Sequence, residues 1–233
     1  MSVQWLADYL GAENLVILDA GVPALPGLAK AGYLTGHIPG AVFADIAGLV
    51  ADPGCELGLT RPSIERFETA AALVGVLPSS TVIVYDNADS QLAAHLWWLF
   101  RSFGFDQVAV LDGGLAKWRL EDRATEAGEV SPGLGRVTAI ERPAFWADRD
   151  ECARIASGAA DGVLVTSPAA GRIVDPSTHE FVSRAALVQE FGPRVASTTS
   201  RLVINDEGIG AAASALALTL AGHTDIAILG GLG

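Results

Sequence analysis

Residues 202–221 read LVINDEGIGAAASALALTLA, and the predicted fold is built around this stretch. It begins with a short apolar run, Leu202–Ile204, whose length and β-branched residues predict a buried strand. It ends with an alanine- and leucine-rich run, 211–221, which predicts a buried helix. A strand that passes through a glycine-containing loop into a helix turns several backbone N–H groups toward one point, where the helix dipole favours negative charge. We therefore expect an anion-binding scaffold at residues 205–210.

The side chains of this loop do not carry the chemistry that such a scaffold supports. Asn205 comes first, and its amide is not a nucleophile. Asp206 and Glu207 bring negative charge to a place that is suited to receive it. Three small or apolar residues complete the loop: Gly208, Ile209 and Gly210. We expect a site whose scaffold is retained and whose chemistry is lost.

The whole chain is acidic and rich in apolar residues. Its 233 residues carry a formal net charge of −12, and half of them are hydrophobic. Phosphate contacts depend on Lys and Arg, so this charge argues against nucleic acids and anionic membranes as partners. The apolar runs are shorter than the ~20 residues of a membrane-spanning helix, and residues 1–13 lack the features of a signal peptide. We expect a cytoplasmic protein.

The cysteines and histidines do not predict a metal site or an obvious nucleophile. Cys55 and Cys152 do not form a disulfide pattern, and without a CxxC motif or a His/Cys cluster a structural zinc site is not expected. Acidic neighbours flank both cysteines and would raise a thiol pKa, so we expect structural or surface roles. His37 is expected to have a role in a turn or in packing, and His95, on an apolar helix, is expected to be a satisfied interior residue. We predict no cofactor and no metal.

Strands and helices alternate along the chain, and the second half repeats the first. This pattern predicts the α/β class, with mainly parallel sheets flanked by helices on both faces. We expect a first domain at 1–120, a linker at 121–143 and a shortened second domain at 144–233, since polar residues rise after 119 and the repeat then restarts.

The repeat also suggests which positions correspond between the two halves. Trp146–Asp148 is similar to Trp5–Asp8, and residues 221–232 are similar to residues 103–114. Leu202–Ile204 is similar to residues 83–85. In that alignment Asp86 and Asn205 share the first position of the loop that joins strand to helix.

Four segments of the first half resemble the tandem rhodanese family, which contains the thiosulfate and 3-mercaptopyruvate sulfurtransferases. They are YLTGHIPGAV at 33–42, VIVYD at 82–86, the helix with Trp97–Phe100, and LDGGLAKW at 111–118. The resemblance implies two α/β rhodanese domains. It also implies that an active enzyme has a cysteine at the start of the second-domain loop, which becomes a persulfide, and an aspartate at the first-domain position.

The second half departs from the family pattern in three ways. Asn205 stands where the resemblance places the cysteine, and Asp206 and Glu207 replace small residues of the loop. Residues 166–169 stand in place of the arginine that the resemblance implies for binding an anionic donor, and Arg172 comes later. We predict a degenerate sulfurtransferase-like protein whose partner is a small anionic ligand or a protein.

Two alternatives are enzymes. One is an active sulfurtransferase that uses Cys55 or Cys152 as its nucleophile. The other is altered chemistry carried out by Asp206 and Glu207 as paired carboxylates.

Overall fold

The structure is a computed structural model. It describes residues 1–21, 28–45, 61–167, 173–192, 195, 199–206 and 208–230. Several residues named above lie outside the described part of the chain: Cys55, Pro168, Ala169, Arg172 and Glu207.

The first sheet has four parallel strands in the order β2-β1-β3-β4. Their bounds are β1 Leu15–Gly21, β2 Val42–Asp45, β3 Thr81–Tyr85 and β4 Val108–Val110. The helices of this half are α1 Val3–Asp8, α2 Leu28–Thr35, α3 Ile64–Leu73, α4 Gln91–Ser102 and α5 Gly114–Leu120. Successive residues of a strand face opposite sides of a sheet, so both faces of these apolar strands need a cover.

Helices cover both faces of the first sheet. Val82 and Val84 point into a core that contains Phe67 of α3 and much of α4. Ile83 and Tyr85 point the other way, into a cluster with Val3 and Leu6 of α1 and with Leu115 and Trp118 of α5. The prediction of parallel strands flanked by helices on both faces is confirmed here.

The second sheet is also parallel, in the order β5-β8-β7-β6. Its strands are β5 Trp146–Ala147, β6 Val163–Val165, β7 Leu202–Ile204 and β8 Ile226–Leu229. A 3-10 turn at Pro143–Phe145 precedes it, and its helices are α6 Arg149–Ala156, α7 Arg184–Phe191 and α8 Ile209–Leu220. Among the described residues, no strand pairs with the outer edge of β6, although β2 occupies the matching edge of the first sheet.

The helices α4 and α8 pack against each other and join the cores of the two halves. The alanines of α8 are almost fully buried, so its backbone lies close to its neighbours. Contacts between the halves also involve Asp112, whose Oδ1 accepts a hydrogen bond of 2.6 Å from the Phe181 N–H, and an ion pair between Lys117 and Glu180.

Residues 121–142 form no helix, and they lie along the first half of the chain. Glu126 forms an isolated bridge with His37, and the Arg136 N–H donates to the Val76 carbonyl at 2.8 Å. The stretch predicted as a linker is therefore attached to the first half by backbone hydrogen bonds. The predicted boundaries at 120 and 143 stay predictions.

The predicted similarity of Trp146–Asp148 to Trp5–Asp8 is wrong as a structural correspondence. Trp146 lies in the edge strand β5, whereas Trp5 lies inside α1. In the first half, Met1 occupies the position beside β4 that β5 occupies beside β8. Its amino group donates to the Val110 carbonyl, and its carbonyl accepts from the Asp112 N–H. Ser2 then caps α1 through the Trp5 N–H, as Asp148 caps α6 through the Glu151 N–H. Trp146 and Trp5 therefore do not occupy equivalent positions in the two halves.

The predicted alignment of Asp86 with Asn205 between the two halves is also wrong, by one residue. Val82 pairs with Val108 in the first sheet, and Leu202 pairs with Ile226 in the second. The same shift appears in the hydrogen bonds, because the Val82 N–H donates to the Gln107 carbonyl and the Leu202 N–H donates to the Asp225 carbonyl.

By this register the counterpart of Asp86 is Asp206, and the counterpart of Asn205 is Tyr85. The loop 205–208 is one residue shorter than the loop 86–90. An alignment that superposes the two loops in the sequence therefore shifts the strands before them by one residue.

Candidate functional site

The loop after β3 is filled by the chain's own carboxylate. Asp86 is only 3% exposed, and its Oδ1 accepts hydrogen bonds from the N–H groups of Ala88 at 2.9 Å and Ser90 at 3.1 Å. Its Oδ2 accepts from Leu92 and Ala93, both at 3.1 Å. Ser90, which precedes α4, makes no side-chain cap, so Asp86 caps the helix from the end of the strand.

The pKa of Asp86 is raised, and burial is the largest cause. The three N–H donors at Ala88, Ser90 and Ala93 act in the opposite direction, because they stabilise the ionised carboxylate. The ring of backbone donors that could hold a ligand anion in the first half is therefore already occupied.

The loop after β7 is arranged differently. Asp206 is half-buried, and its Oδ2 accepts a hydrogen bond of 2.7 Å from the backbone N–H of Ser167, just after β6. No side chain of the described residues caps α8, whose N-terminus follows Gly208 with φ +85°. A Cβ added at Gly208 or Gly210 would meet no atom of the described residues within 4 Å, apart from its chain neighbours and the backbone of α8. Among the described residues, the first turn of α8 therefore has space around its two glycines, and Asp206 precedes it closely in the chain.

The other predicted residues of this loop are placed at its rim. Asn205 is exposed, and Ile209 and Gly210 are half-buried. The structure brings Asn205 and Asp206 to the carboxyl end of β7, as the sequence predicts. Glu207 lies outside the described residues, so the paired carboxylates stay a prediction.

Cys152 lies away from this loop, on the other face of the second sheet. It is 7% exposed in α6 and packs with Ala147, Val203 and Ala227. Leu202 and Ile204, which flank Val203 in β7, point into the core that contains α8. Burial raises the pKa of the Cys152 thiol, and the acidic groups of Glu151 and Asp148 raise it further. A buried thiol with a raised pKa is a poor nucleophile.

His37 and His95 are interior residues. His37 is fully buried, its Nδ1 lies 2.8 Å from the Tyr33 carbonyl oxygen, and its ring stacks on Tyr33 at 4.1 Å between centroids. His95 is 3% exposed, and burial lowers its pKa to about 4, so it is neutral at pH 7. His95 is an interior residue of α4, as predicted, but its Nε2 has no hydrogen-bond partner among the described residues, so the expectation that it is satisfied is wrong.

The sequence analysis missed a second polar site, at the carboxyl edge of the first sheet. A cavity of about 420 Å³ lies there, and residues Asp19, Asp86 and Arg119 contribute to its lining. Asp19 is 1% exposed, and burial raises its pKa to about 6. The signal in the sequence was an acidic residue in the apolar run 15–20, which is unusual for a buried strand.

A membrane-spanning helix and a cluster of metal-binding side chains are both absent from the described residues. No helix in the described ranges is long and apolar enough to cross a membrane. Within the same ranges, no group of three or more His, Cys, Asp or Glu residues could hold a metal ion.

Comparison with known proteins identifies the family. The rhodanese-like domain family matches residues 2–121, just over half of the chain, and the chain belongs to this family. It is similar to the 3-mercaptopyruvate sulfurtransferase of Escherichia coli K12, at 37% identity over 147 residues that cover 61% of this chain and 52% of that protein. The human 3-mercaptopyruvate sulfurtransferase is 35% identical over 153 residues, which cover 62% of this chain and 51% of that protein. The chain thus matches about half the length of these curated relatives.

A solved structure extends the likeness to the whole chain. The crystal structure of SseA from Escherichia coli, a 3-mercaptopyruvate sulfotransferase with the rhodanese fold, matches with a TM-score of 0.81 at 27% identity. The match covers 100% of this chain and 98% of SseA. The predicted membership of the rhodanese family and the predicted two-domain fold are confirmed. The chain is a sulfurtransferase-like member of that family.

Proposed function

We propose that this protein is a degenerate thiosulfate/3-mercaptopyruvate sulfurtransferase-like protein, which keeps the rhodanese scaffold and does not transfer sulfur. One observation carries the proposal: the loop between β7 and α8 has Asn205 and Asp206 where a thiol would be needed. The one-residue correction in register does not change this, because neither position supplies sulfur.

Sulfur transfer needs a thiolate that attacks the donor and then holds the outer sulfur as a persulfide. The amide of Asn205 cannot attack, and the carboxylate of Asp206 cannot form a persulfide. The negative charge of Asp206 also opposes the approach of thiosulfate and 3-mercaptopyruvate, which are both anions. Losing the nucleophile and adding a like charge act in the same direction.

What remains of the site supports binding. Among the described residues, no side chain caps the first turn of α8, and no atom outside the helix and the adjacent residues lies close to Gly208 or Gly210. We propose that the protein works in the cytoplasm by binding a small anionic ligand at this turn or a protein partner. An anion must tolerate Asp206, whose carboxylate is held by the Ser167 N–H.

The test is an assay of cyanide-dependent thiocyanate formation, with thiosulfate and then 3-mercaptopyruvate as donor. We expect a rate equal to that of a Cys55→Ser/Cys152→Ser double variant, which contains no thiol. The E. coli 3-mercaptopyruvate sulfurtransferase is the positive control. A rate well above that of the double variant would contradict the proposal and would assign the activity to Cys55 or Cys152.

Altered chemistry at the acidic loop is a second candidate, favoured by the half-buried Asp206 carboxylate at the carboxyl end of β7. It predicts an activity that survives in the double cysteine variant and is lost in Asp206→Asn. The same two variants therefore separate the cysteine alternative from the carboxylate alternative.

A further inference from the structure

The first sheet has a cavity at its carboxyl edge that the proposed function leaves unused. Its volume of about 420 Å³ is within the usual range for small-molecule sites. It opens where β1 and β3 end, and five residues with polar or charged side chains help to line it: Asp19, Thr35, Asp86, Asn87 and Arg119. This edge of a parallel sheet is the usual location of ligands in α/β folds.

Asp19 provides one acceptor atom, Oδ2, that no described residue uses, while the Tyr85 hydroxyl acts on the same carboxyl group as a hydrogen-bond donor. It is 1% exposed, and its Oδ2 has no hydrogen-bond partner among the described residues. A buried carboxylate oxygen without a partner is costly, and natural proteins satisfy such atoms. Tyr85 acts on the Asp19 carboxyl group through a side-chain hydrogen bond, and Asp86, His37 and Arg119 act on it through their charges. A ligand that donates a hydrogen bond to Asp19 would satisfy it.

Arg119 provides the opposite charge in the same cavity. Its Nη2 donates to the Gly36 carbonyl at 2.8 Å, which fixes the exposed side chain at the rim. A guanidinium has five N–H donors, and among the described residues no other acceptor takes one from Arg119. The remaining donors suit a carboxylate, which they can bind in a bidentate manner. Arg119 and Asp19 both line this cavity, so one small molecule in it can meet both charges.

These two groups decide the class of ligand. A simple anion is disfavoured, because Asp86 already occupies the backbone donors and Asp19 adds a second carboxyl group. A simple cation would meet the guanidinium of Arg119. A molecule with both charges matches both groups.

We propose that the cavity at the carboxyl edge of the first sheet binds a small amino acid in its zwitterionic form, with its ammonium group on Asp19 and its carboxylate on Arg119.

The test uses a series of ω-amino acids, from glycine to 6-aminohexanoate, because the series varies the distance between the two charges. Binding to the full chain is measured by ligand-observed NMR and by calorimetry at millimolar concentrations. We expect at least one member to bind, while butylamine and butanoate, which carry one charge each, do not. Asp19→Asn and Arg119→Gln should each weaken binding by about tenfold or more.

The controls are Asp161→Asn and Arg136→Gln. They remove the same charges at exposed positions that do not contribute to the cavity lining, and they should bind as the unchanged protein does. Arg119 is exposed, so Arg119→Gln tests the site even if Asp19→Asn perturbs the core. Circular dichroism checks the fold of each variant.

Three results would overturn the proposal: no amino acid of the series binds, the singly charged molecules bind equally well, or Arg119→Gln binds as tightly as the unchanged protein. The cavity belongs to the first sheet and its residues carry no sulfur. Failure of this proposal therefore leaves the thiocyanate result untouched, and the two are judged separately.

Discussion

Asp86 and Asp206 occupy the same register position in the two sheets, but their carboxylates bind different backbone groups. The Asp86 carboxylate accepts from four N–H groups of its own loop and helix. The Asp206 carboxylate accepts from Ser167 in the neighbouring connection. One aspartate fills its cradle, and the other leaves the turn in front of α8 uncapped by any described side chain. The two halves therefore share the strand–loop–helix scaffold but differ in which backbone N–H groups their aspartates bind.

The two aspartates should differ in their contribution to stability. Asp86→Ala leaves four buried or part-buried N–H groups without their acceptor and should lower the free energy of unfolding by about 3 kcal/mol. Asp206→Ala removes one part-buried hydrogen bond and should cost about 1 kcal/mol. Urea unfolding followed by circular dichroism measures both. Equal losses would contradict the contrast drawn between the two loops.

The corrected register predicts which position can carry a reactive thiol. In a Cys55→Ser/Cys152→Ser background, Asp206→Cys places sulfur at the counterpart of Asp86, next to the uncapped helix start, and also removes a negative charge. Both effects lower a thiol pKa. Asn205→Cys places the thiol one residue earlier, beside the retained Asp206, and we expect it not to restore sulfur transfer.

Iodoacetamide alkylation at pH 7 compares the two variants directly. Asp206→Cys should react about tenfold faster than Asn205→Cys, which corresponds to a pKa difference of about one unit. If Asn205→Cys reacted faster, the alignment of Asn205 with Asp86 would be restored.

Cys152 should be unreactive in the folded protein. In the Cys55→Ser variant it is the remaining thiol, and its burial and raised pKa both slow its reaction with a disulfide reagent at pH 7.5. The same thiol should react at once in urea. Fast stoichiometric labelling of the folded variant would mean that Cys152 is accessible, and it would revive the cysteine alternative.

The buried Asp19 should affect the pH dependence of stability. Its pKa is about 6 in the folded protein, because burial disfavours the charged form, and 3.8 is its ordinary value. Between these values the folded state binds more protons than the unfolded state, so stability falls as pH rises. The stability that the protonated group provides is complete below pH 3.8 and is lost as pH rises through about 6. A shift of about two units corresponds to about 3 kcal/mol.

Asp19→Asn removes this effect. The free energy of unfolding of the variant, minus that of the unchanged protein, should rise by about 3 kcal/mol between pH 4 and pH 7. His95 has a pKa of about 4 and acts with the opposite sign in the same range, but it is present in both proteins and cancels in the difference. A difference that stays flat over this range would show that Asp19 titrates normally.

The sequence predicted the parts of this molecule that depend on local pattern. Short apolar runs such as Leu202–Ile204 predict buried strands in an alternating α/β chain, and the parallel sheets could be predicted from them. The register between the two halves could not be predicted, because apolar triplets such as 82–84 and 83–85 match Leu202–Ile204 equally well. Only the backbone hydrogen bonds of the structure decide between these two alignments.

The environment of individual side chains was harder to predict. In the sequence, Asp19 is only an acidic residue in an apolar run. Its place in a polar cavity depends on Asp86 and Arg119, which are distant in sequence and line the same cavity at the sheet edge. Cys152 was expected to be a structural or surface residue, and the face of the sheet that buries it depends on the β7 register. Long-range pairing decides both cases.

The central claim is that the scaffold is retained without a sulfur-carrying thiol, and intact-protein mass spectrometry tests it most directly. The protein is incubated with thiosulfate or 3-mercaptopyruvate, separated from the donor and weighed before and after treatment with cyanide. We predict an unchanged mass in each case. A mass increase of one sulfur atom that cyanide removes, and that disappears in Cys55→Ser or Cys152→Ser, would contradict the account.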